Sequence, residues 1–400
     1  MRNIFLLIIL CTHTITSQEI FKGKVVDLES GAALSNVDII SLNDNQVFVS
    51  TLQGTFEVLK SGFYLFKKEG YSTVEIEINN NYQIVQLNID ISELNEVIVS
   101  ANQLPKRLKK SVATINIIST AEINRTNHTN IAPTLNLTPG VFMQSGALNT
   151  NRIAIRGVGA RNLYGTAKIR AYFKDIPLTN GSGETNIEDF ELTSISRIEI
   201  VKGASSIYGA GLGGIIHLTP QNAYLNQTNI NSELSIGSFG FTKGLINFNQ
   251  GTSKNSFRGI YSNTHSDGYR DNNEYDRQTI TINSNHFLNK KDDLSFLVSY
   301  VNLKAFIPSS LNETAYINNP SSAAFTWKQT KGYEDSQRGI FGVSWNHQYH
   351  NNLKQSTSVF TSFRNGYEPR PFDILDENVF ALGIRSRFLF YLLIKLNHII

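Results

Sequence analysis

Residues 151–165 read NRIAIRGVGARNLYG, residues 168–183 read KIRAYFKDIPLTNGSG, and residues 195–220 read ISRIEIVKGASSIYGAGLGGIIHLTP. Within them RIAIRG, IRAYFKDIP and RIEIVKG alternate apolar with polar residues, the period of a β-strand, and glycine-rich turns separate them. A glycine cluster and a fourth β-branched run, IIHLTP, follow. Gly209 to Gly214 formally match GxGxxG. A dinucleotide site needs a helix after those glycines, because the pyrophosphate rests on the helix N-terminus, and here a strand and a proline follow instead. Lys202-Gly203-Ala204-Ser205-Ser206 is no phosphate loop either, since a Walker motif places its lysine after the second glycine.

From about residue 225 the pattern changes. Segments of roughly ten residues alternate in polarity (SELSIGSFG, KGLINFNQ, SFRGIYSN, RQTITINSNHF, LSFLVSYVNLKAF, RGIFGVSWNHQYH, STSVFTSFRN), and Val379 to Phe388 is a candidate eighth. Tight turns at Thr252–Lys254, Asn289–Asp293 and Asn351–Lys354 take turns with two long loops, SDGYRDNNEYD and the residues around Ile307 to Asp335. Aromatic residues gather near segment ends, among them Phe241, Tyr261, Tyr300, Phe306, Trp345 and Tyr349. Short turns on one side, long loops on the other and aromatic ends describe a transmembrane β-barrel. A soluble sandwich has no need of that loop asymmetry.

The chain starts with Arg2, an apolar run from Ile4 to Cys11, and Thr16-Ser17 before Gln18, which reads as a signal peptide over 1–17. Its one cysteine, Cys11, lies in that leader, so disulfides, thiolate metal sites and cysteine nucleophiles are not expected in the mature chain. The net charge of +3 supplies no general attraction to nucleic acid. Residues 18–90 alternate with turn signals at Ser30-Gly31, Asn43-Asp44 and Gln53-Gly54, predicting a β-sandwich. Residues 91–110 form a linker whose LNEVIVSA run has strong β propensity. Residues 111–222 add two short helices, one opened by the Ser119-Thr120-Ala121-Glu122 capping box and one over Ile131 to Leu137, to the strands quoted above.

Order and wording of 151–220 resemble the plug domain of TonB-dependent outer-membrane receptors, with IRGVG, FKDIP and the run from Arg197 to Pro220 the closest matches. The resemblance implies a mainly β protein: an N-terminal sandwich similar to carboxypeptidase-regulatory domains, an α/β plug over 111–222, and the first strands of an antiparallel barrel over 223–400. Arg156, Gly157, Lys202, Gly203, Tyr208, Gly209, Gly213 and Gly214 carry the plug motif, with the glycines expected to make tight turns where plug meets wall. In the family the linker holds the TonB box, and Glu96, Val97, Ile98 and Val99 match it. An exposed strand there would add to the sheet of a periplasmic TonB-type energy-coupling protein; the bland alternative is a last strand of the sandwich. Arg156, Arg161, Arg170 and Arg197 are candidates to pair with acidic groups of the barrel wall.

The resemblance implies a Gram-negative outer-membrane importer in contact with lipid, taking a small-molecule or metal-chelate ligand such as a ferric siderophore. The alternatives are a glycan importer of the same family, a passive barrel or adhesin, and a secreted hydrolase. No HExxH zinc pattern and no GxSxG elbow occurs, so no catalytic residue, metal ligand or cofactor is assigned. Asp267 to Asn273 is rich in oxygen ligands, yet it lacks the spacing of a calcium loop and reads as a solvated turn. About eight strands fall short of the 22 or so that surround a plug. The chain is therefore expected to be part of a longer receptor or one cut short.

Overall fold

The computed structural model describes residues 20–28, 31–89, 98–99, 106–107, 113–147, 150–161, 166, 168–204, 212–350 and 352–390. The leader, Glu96, Val97, Tyr208, Gly209 and the last ten residues lie outside them.

The N-terminal strands are β1 (Phe21–Asp27), β2 (Asp38–Ser41), β3 (Val47–Val49), β4 (Thr55–Val58), β5 (Gly62–Lys67), β6 (Val74–Ile78) and β7 (Tyr82–Leu87). They form two sheets, ordered β4-β1-β7 and β3-β2-β5-β6. Val25, Ile39, Phe56, Phe66 and Val85 fill the space between them, with the Phe56 and Phe66 rings edge to face at 5.4 Å. Alternation in the sequence becomes one buried face per sheet, as a sandwich requires. Beyond it, β8 (Ile98–Val99) pairs antiparallel with β9 (Lys106–Arg107).

The next unit contains β10 (Thr114–Ile118), α1 (Thr120–Asn124), α2 (Ala132–Asn136), β11 (Val141–Ala147), β12 (Thr150–Ile155), β13 (Ile169–Phe173), β14 (Ile176–Pro177), β15 (Ile195–Lys202) and β16 (Gly214–Pro220). Its main sheet runs β10-β15-β16-β13-β14, with β13 and β16 parallel, while β11 and β12 form a separate hairpin. Ser119 caps α1 through the reciprocal bonds with Glu122 that its spacing foretells. The core is apolar and internal, built by Ile153, Ile155, Ile169, Phe173, Ile198 and Ile216 among others. Phe173 and Phe190 stack at 4.8 Å within it.

Eight antiparallel strands then form one sheet in chain order: β17 (Thr228–Ile236), β18 (Thr242–Gly251), β19 (Asn255–Ser266), β20 (Tyr275–Phe287), β21 (Asp292–Phe306), β22 (Tyr333–His350), β23 (Leu353–Pro369) and β24 (Ile374–Phe390). Among the described residues β17 and β24 each have one neighbour, so the sheet is open. The eighth strand is longer than the sequence suggests. Its first turn holds Asp376 and Glu377 side by side, which masks the alternation, yet both fall on opposite faces of a regular strand paired with β23. The loop after β21 carries α3 (Glu313–Asn318) and α4 (Phe325–Thr330).

Burial alternates along these strands. In β19 it reads exposed then buried residue by residue, with Ser256, Arg258, Ser262 and Thr264 turned in. The opposite face shows Ile246, Tyr261, Ile280, Phe341 and Val359. Every arginine of the eight strands (258, 277, 338, 364, 385 and 387) stands on the inward set of positions. This is the polarity of a membrane wall, because a cation facing hydrocarbon costs about 2–4 kcal/mol. Phe306, Tyr333 and Tyr367 cluster near the long-loop end, and Trp345, His347 and Tyr349 near the short-turn end. Tyr333 and Trp345 share β22, and at ~3.3 Å per residue with a ~40° tilt they stand about 30 Å apart along the membrane normal. That matches the thickness of a bilayer core. Among the described residues no helix is long and apolar enough to cross a membrane, which says nothing about strands.

Candidate functional site: the seam between plug and wall

The α/β unit sits against the inward face of the eight-stranded sheet, and the seam between them is polar. Of the described residues of the wall, only Leu297, Ile340 and Phe360 join the α/β unit's apolar core. Close approach comes where the wall has glycine: a Cβ on Gly342 would lie 2.6 Å from Ile176.

Most of the charged contacts come from one stretch. Residues 184–191, ETNIEDFE, form a loop and a single 3-10 turn between β14 and β15. Glu191 accepts from Lys243 Nζ at 2.7 Å and from the Ser262 hydroxyl at 2.6 Å, all buried. Asp189 lies 3.0 Å from Arg338, a pairing of charges without hydrogen-bond alignment. Glu184 accepts from Arg364 Nη1 at 2.7 Å. Arg277 and Arg258 donate to the main-chain carbonyls of Glu188 and Thr193. At the other end of the seam Arg387 reaches Asp175 at 3.2 Å, and Lys174 donates to Asn285 at 2.6 Å.

Burial beside Asp189 pushes the Glu188 carboxyl up to about 7, with Arg338 only partly opposing it. Asp189 is also raised by burial. Glu191 behaves the other way: burial raises it, but Arg277, Lys243 and two hydrogen bonds prevail and hold it below its usual range. Asp175 is likewise held low, burial being outweighed by Arg387, His217 and neighbouring cations.

This reverses the pairing expected from the sequence. Across the seam the plug supplies acids to cations of the wall, and the wall adds its own Glu334 and Glu377 beside Arg338 and Arg364. Arg197 is paired at 2.9 Å with Glu199 inside the plug, both fully buried, and Arg170 donates to the Gly183 carbonyl. Arg156 and Arg161 are exposed. The reason is the lipid: an arginine on the wall must face inward, where its counter-charge comes from the plug or from acids on the wall's own inward face.

Other sequence-marked positions are structural turns. Arg156 and Gly157 both have positive φ, 50° and 81°, and the Arg156 N–H is bonded to the Gly140 carbonyl. Lys202 donates to the Pro139 carbonyl, tying β15 to the turn before β11. Gly203 and Gly214 have φ of 108° and 146°, open to glycine alone without strain. A Cβ on Gly213 would press on Val158 and Ile169, and one on Gly214 on the Val201 carbonyl. These two glycines thus serve packing within the plug rather than the seam. Of the TonB-box-like residues, Ile98 and Val99 form β8, paired with the next segment of their own chain. The oxygen-rich loop 267–273 is anchored, not freely solvated. Arg270 donates to the carbonyls of Ser309, Ser322 and Pro308, and Asn272 to those of Ile307 and Gly332, clasping the two long loops together.

The arrangement is an α/β unit seated by buried ion pairs against the inward face of an open antiparallel wall. Residues 107–215 match the family described as the TonB-dependent Receptor Plug Domain. Over 133 residues it is 26% identical to the vitamin B12 transporter BtuB of Photobacterium profundum, covering 32% of this chain and 21% of that protein. It is 23% identical over 155 residues to the ferrioxamine receptor of Yersinia enterocolitica, covering 36% and 21%. Among solved structures, the unliganded ferric citrate transporter FecA superposes with a TM-score of 0.58 at 17% identity, over 70% of this chain and 44% of that one. P. aeruginosa FpvA bound to heterologous pyoverdines gives 0.56 at 13%, over 75% and 44%. The matches thus span about a fifth of these curated relatives and under half of these structures. The relatives named are transporters and receptors, and their family resides in the outer membrane of Gram-negative bacteria.

Proposed function

We propose that this chain works as an outer-membrane importer of a scarce small ligand, a ferric siderophore or another metal chelate, by energy-coupled displacement of its plug. The observation that carries the reading is the composition of the seam. Plug and wall each have their own hydrogen-bonded strands, and the plug its own apolar core, but between them run mainly ion pairs and polar contacts. Such a contact separates without exposing a large apolar surface, which a rigid packed core does not permit. The names of the relatives, a vitamin B12 transporter and a ferrioxamine receptor, support a chelate ligand.

In this reading residues 18–90 are a carboxypeptidase-regulatory-like module, 91–110 the coupling linker, 111–222 the plug and 223–400 barrel wall. The strand of a periplasmic TonB-type protein adds along Glu96, Val97, Ile98 and Val99, taking the place that β9 holds against β8. The plug-motif turns at Arg156-Gly157 and Lys202-Gly203 keep the plug rigid enough to be pulled as a body. Deletion of 96–99 in cells that carry the chain tests this. Uptake of iron-59-labelled chelate should stop while binding to the cell surface persists. Uptake that continues at its former rate rules out energy coupling through this strand.

A further inference from the structure

One strand of the N-terminal sandwich is buried on both faces. In β1, Val25 turns into the sandwich core, while Lys24 and Val26 turn the other way and are still only 6% and 0% exposed. β7 runs parallel beside it, and the register Lys22–Tyr82, Lys24–Ile84 and Val26–Gln86 puts these six side chains on that second face. What covers the face is the short-turn rim of the wall. Val26 and Ile84 pack with Phe287, the last residue of β20, and Tyr82 and Leu225 are partly buried against them. Lys290 stands 5.6 Å over the Tyr82 ring. Beside it runs a crevice lined by Lys24, Ala33 and Gln53 of the sandwich and by Asp293, Asn346 and Lys354 of the wall.

The joint closes on the segment that connects plug to wall. Residues 221–227 lead from β16 into β17, so movement of the plug against the wall has to bend them. Asn222 is 5% exposed and held from two sides. Its amide donates to the Leu28 carbonyl of the sandwich at 2.9 Å, and its side-chain oxygen accepts from Asn283 of β20 at 2.9 Å. The Leu225 N–H donates to the Gln86 side chain, also at 2.9 Å. Ser256 of the wall donates to the Ala223 carbonyl, and the Gln221 N–H to the Ser194 carbonyl of the plug. Sandwich, plug and wall therefore meet on one short stretch of chain. Lifting the sandwich returns the Asn222 amide and the Leu225 N–H to water and uncovers one small apolar cluster, a lighter joint than the core of either unit. A contact of that size opens before the elements it joins unfold.

We propose that the N-terminal sandwich is a latch: its second face, with Lys24, Val26, Ile84 and Gln86, docks on the short-turn rim and clamps residues 221–227, so that the plug stays seated until the sandwich lifts. This gives the module a task separate from ligand binding. The latch itself stands without energy coupling. Its release by a pull rests on the importer reading, in which Glu96 of the coupling strand follows Ile89 by seven residues, so that load on the strand reaches the sandwich as well as the plug.

The test is hydrogen exchange of the full chain in nonionic detergent micelles, read by mass spectrometry. Ile84→Lys sets a second cation opposite Lys24 inside the joint, on the face turned away from the sandwich core. It should speed exchange of 221–227 about tenfold or more, and of 184–194 in the plug about threefold or more, while 62–67 in the other sheet of the sandwich keep the parent's protection. Gln86→Ala removes the acceptor of the Leu225 N–H and should speed 221–227 about threefold. Lys60→Gln, in an exposed pair with Asp44, should change nothing. Parent exchange of 221–227 in both variants overturns the docking, and a freed connector with 184–194 at the parent rate in Ile84→Lys overturns the latch. If Ile84→Lys unfolds the sandwich, seen as lost protection over 62–67, Gln86→Ala decides, and parent exchange of 221–227 there overturns the proposal. No energy coupling operates in micelles, so failure here leaves the importer reading to be judged by uptake, and failed uptake leaves the latch standing.

Discussion

Asp189 of the plug and Arg338 of the wall face each other at 3.0 Å with only 7% and 6% of their side chains exposed. Taking both from water costs several kcal/mol per ion, so their value is conditional on both being present. Asp189→Asn or Arg338→Gln alone should destabilise the docked plug, by up to about 3–5 kcal/mol, because each takes from a buried charge its nearest partner across the seam. The double variant should recover most of that loss. Urea unfolding of the four species in a double-mutant cycle measures the coupling. Additive losses would mean the two side chains do not act as a pair.

The same loop predicts a pH response. Glu188 titrates at about 7 against an ordinary 4.5, so the docked state holds its proton more tightly than the free loop. Between those pH values the docked plug binds more protons, and its stability must fall as pH rises, by on the order of 1–3 kcal/mol in total. Glu191 acts in the opposite sense, its depressed carboxyl adding stability that is lost on acidification below the ordinary carboxylate range. Glu188→Gln should flatten the slope between pH 5 and 7 while leaving the acid limb intact. An unchanged slope in unfolding free energy against pH would assign the response to another group.

Much of this fold was legible because lipid and plug force a strict alternation on each wall strand, as in the IYSNTHS of β19 and the RQTITIN of β20. Ser119 and Glu122 were legible as a cap because the interaction is local. The seam was not. Glu191 finds Lys243 across 52 residues and Glu184 finds Arg364 across 180, and no periodicity in ETNIEDFE announces a partner. A signal was present all the same. Four acids within eight residues of the plug, against arginines confined to one alternation phase of the wall, give the sign of each surface. The plug arginines misled because Arg197 and Arg170 stand on strands whose partners lie inside the plug.

In the clasp between the long loops Arg270 reaches three carbonyls, that of Pro308 among them. Arg270 donates to the carbonyls of Ser309 at 2.7 Å and Ser322 at 3.0 Å. Arg270→Ala removes all three bonds, and Arg270→Lys keeps the charge but cannot fork between the carbonyls. Both variants should make 307–332 cleavable by dilute trypsin at Lys328 and Lys331 several-fold faster, with the strands still intact by circular dichroism. Cleavage at the parent rate in both would show that the Asn272 bonds and the Asp271–Lys328 pair hold the loops without Arg270.

Val298 tests which solvent the outer face meets. It points outward on β21, in register with Phe341 on one side and Ile282 on the other, midway between the two aromatic clusters. On a water-exposed sheet, Val298→Arg would be close to neutral or slightly favourable, since surface substitutions move stability by about 0.5 kcal/mol or less. Against hydrocarbon the same arginine costs about 2–4 kcal/mol at the midplane, falling towards zero near the interfaces. Lys304→Arg, at the long-loop end of the same strand and face, is the matched control. Unfolding from phospholipid vesicles should separate the two variants by at least about 2 kcal/mol. If they unfold together, the apolar stripe between Tyr333 and Trp345 does not lie in a membrane, and the ion-paired seam behind it belongs to a soluble sheet.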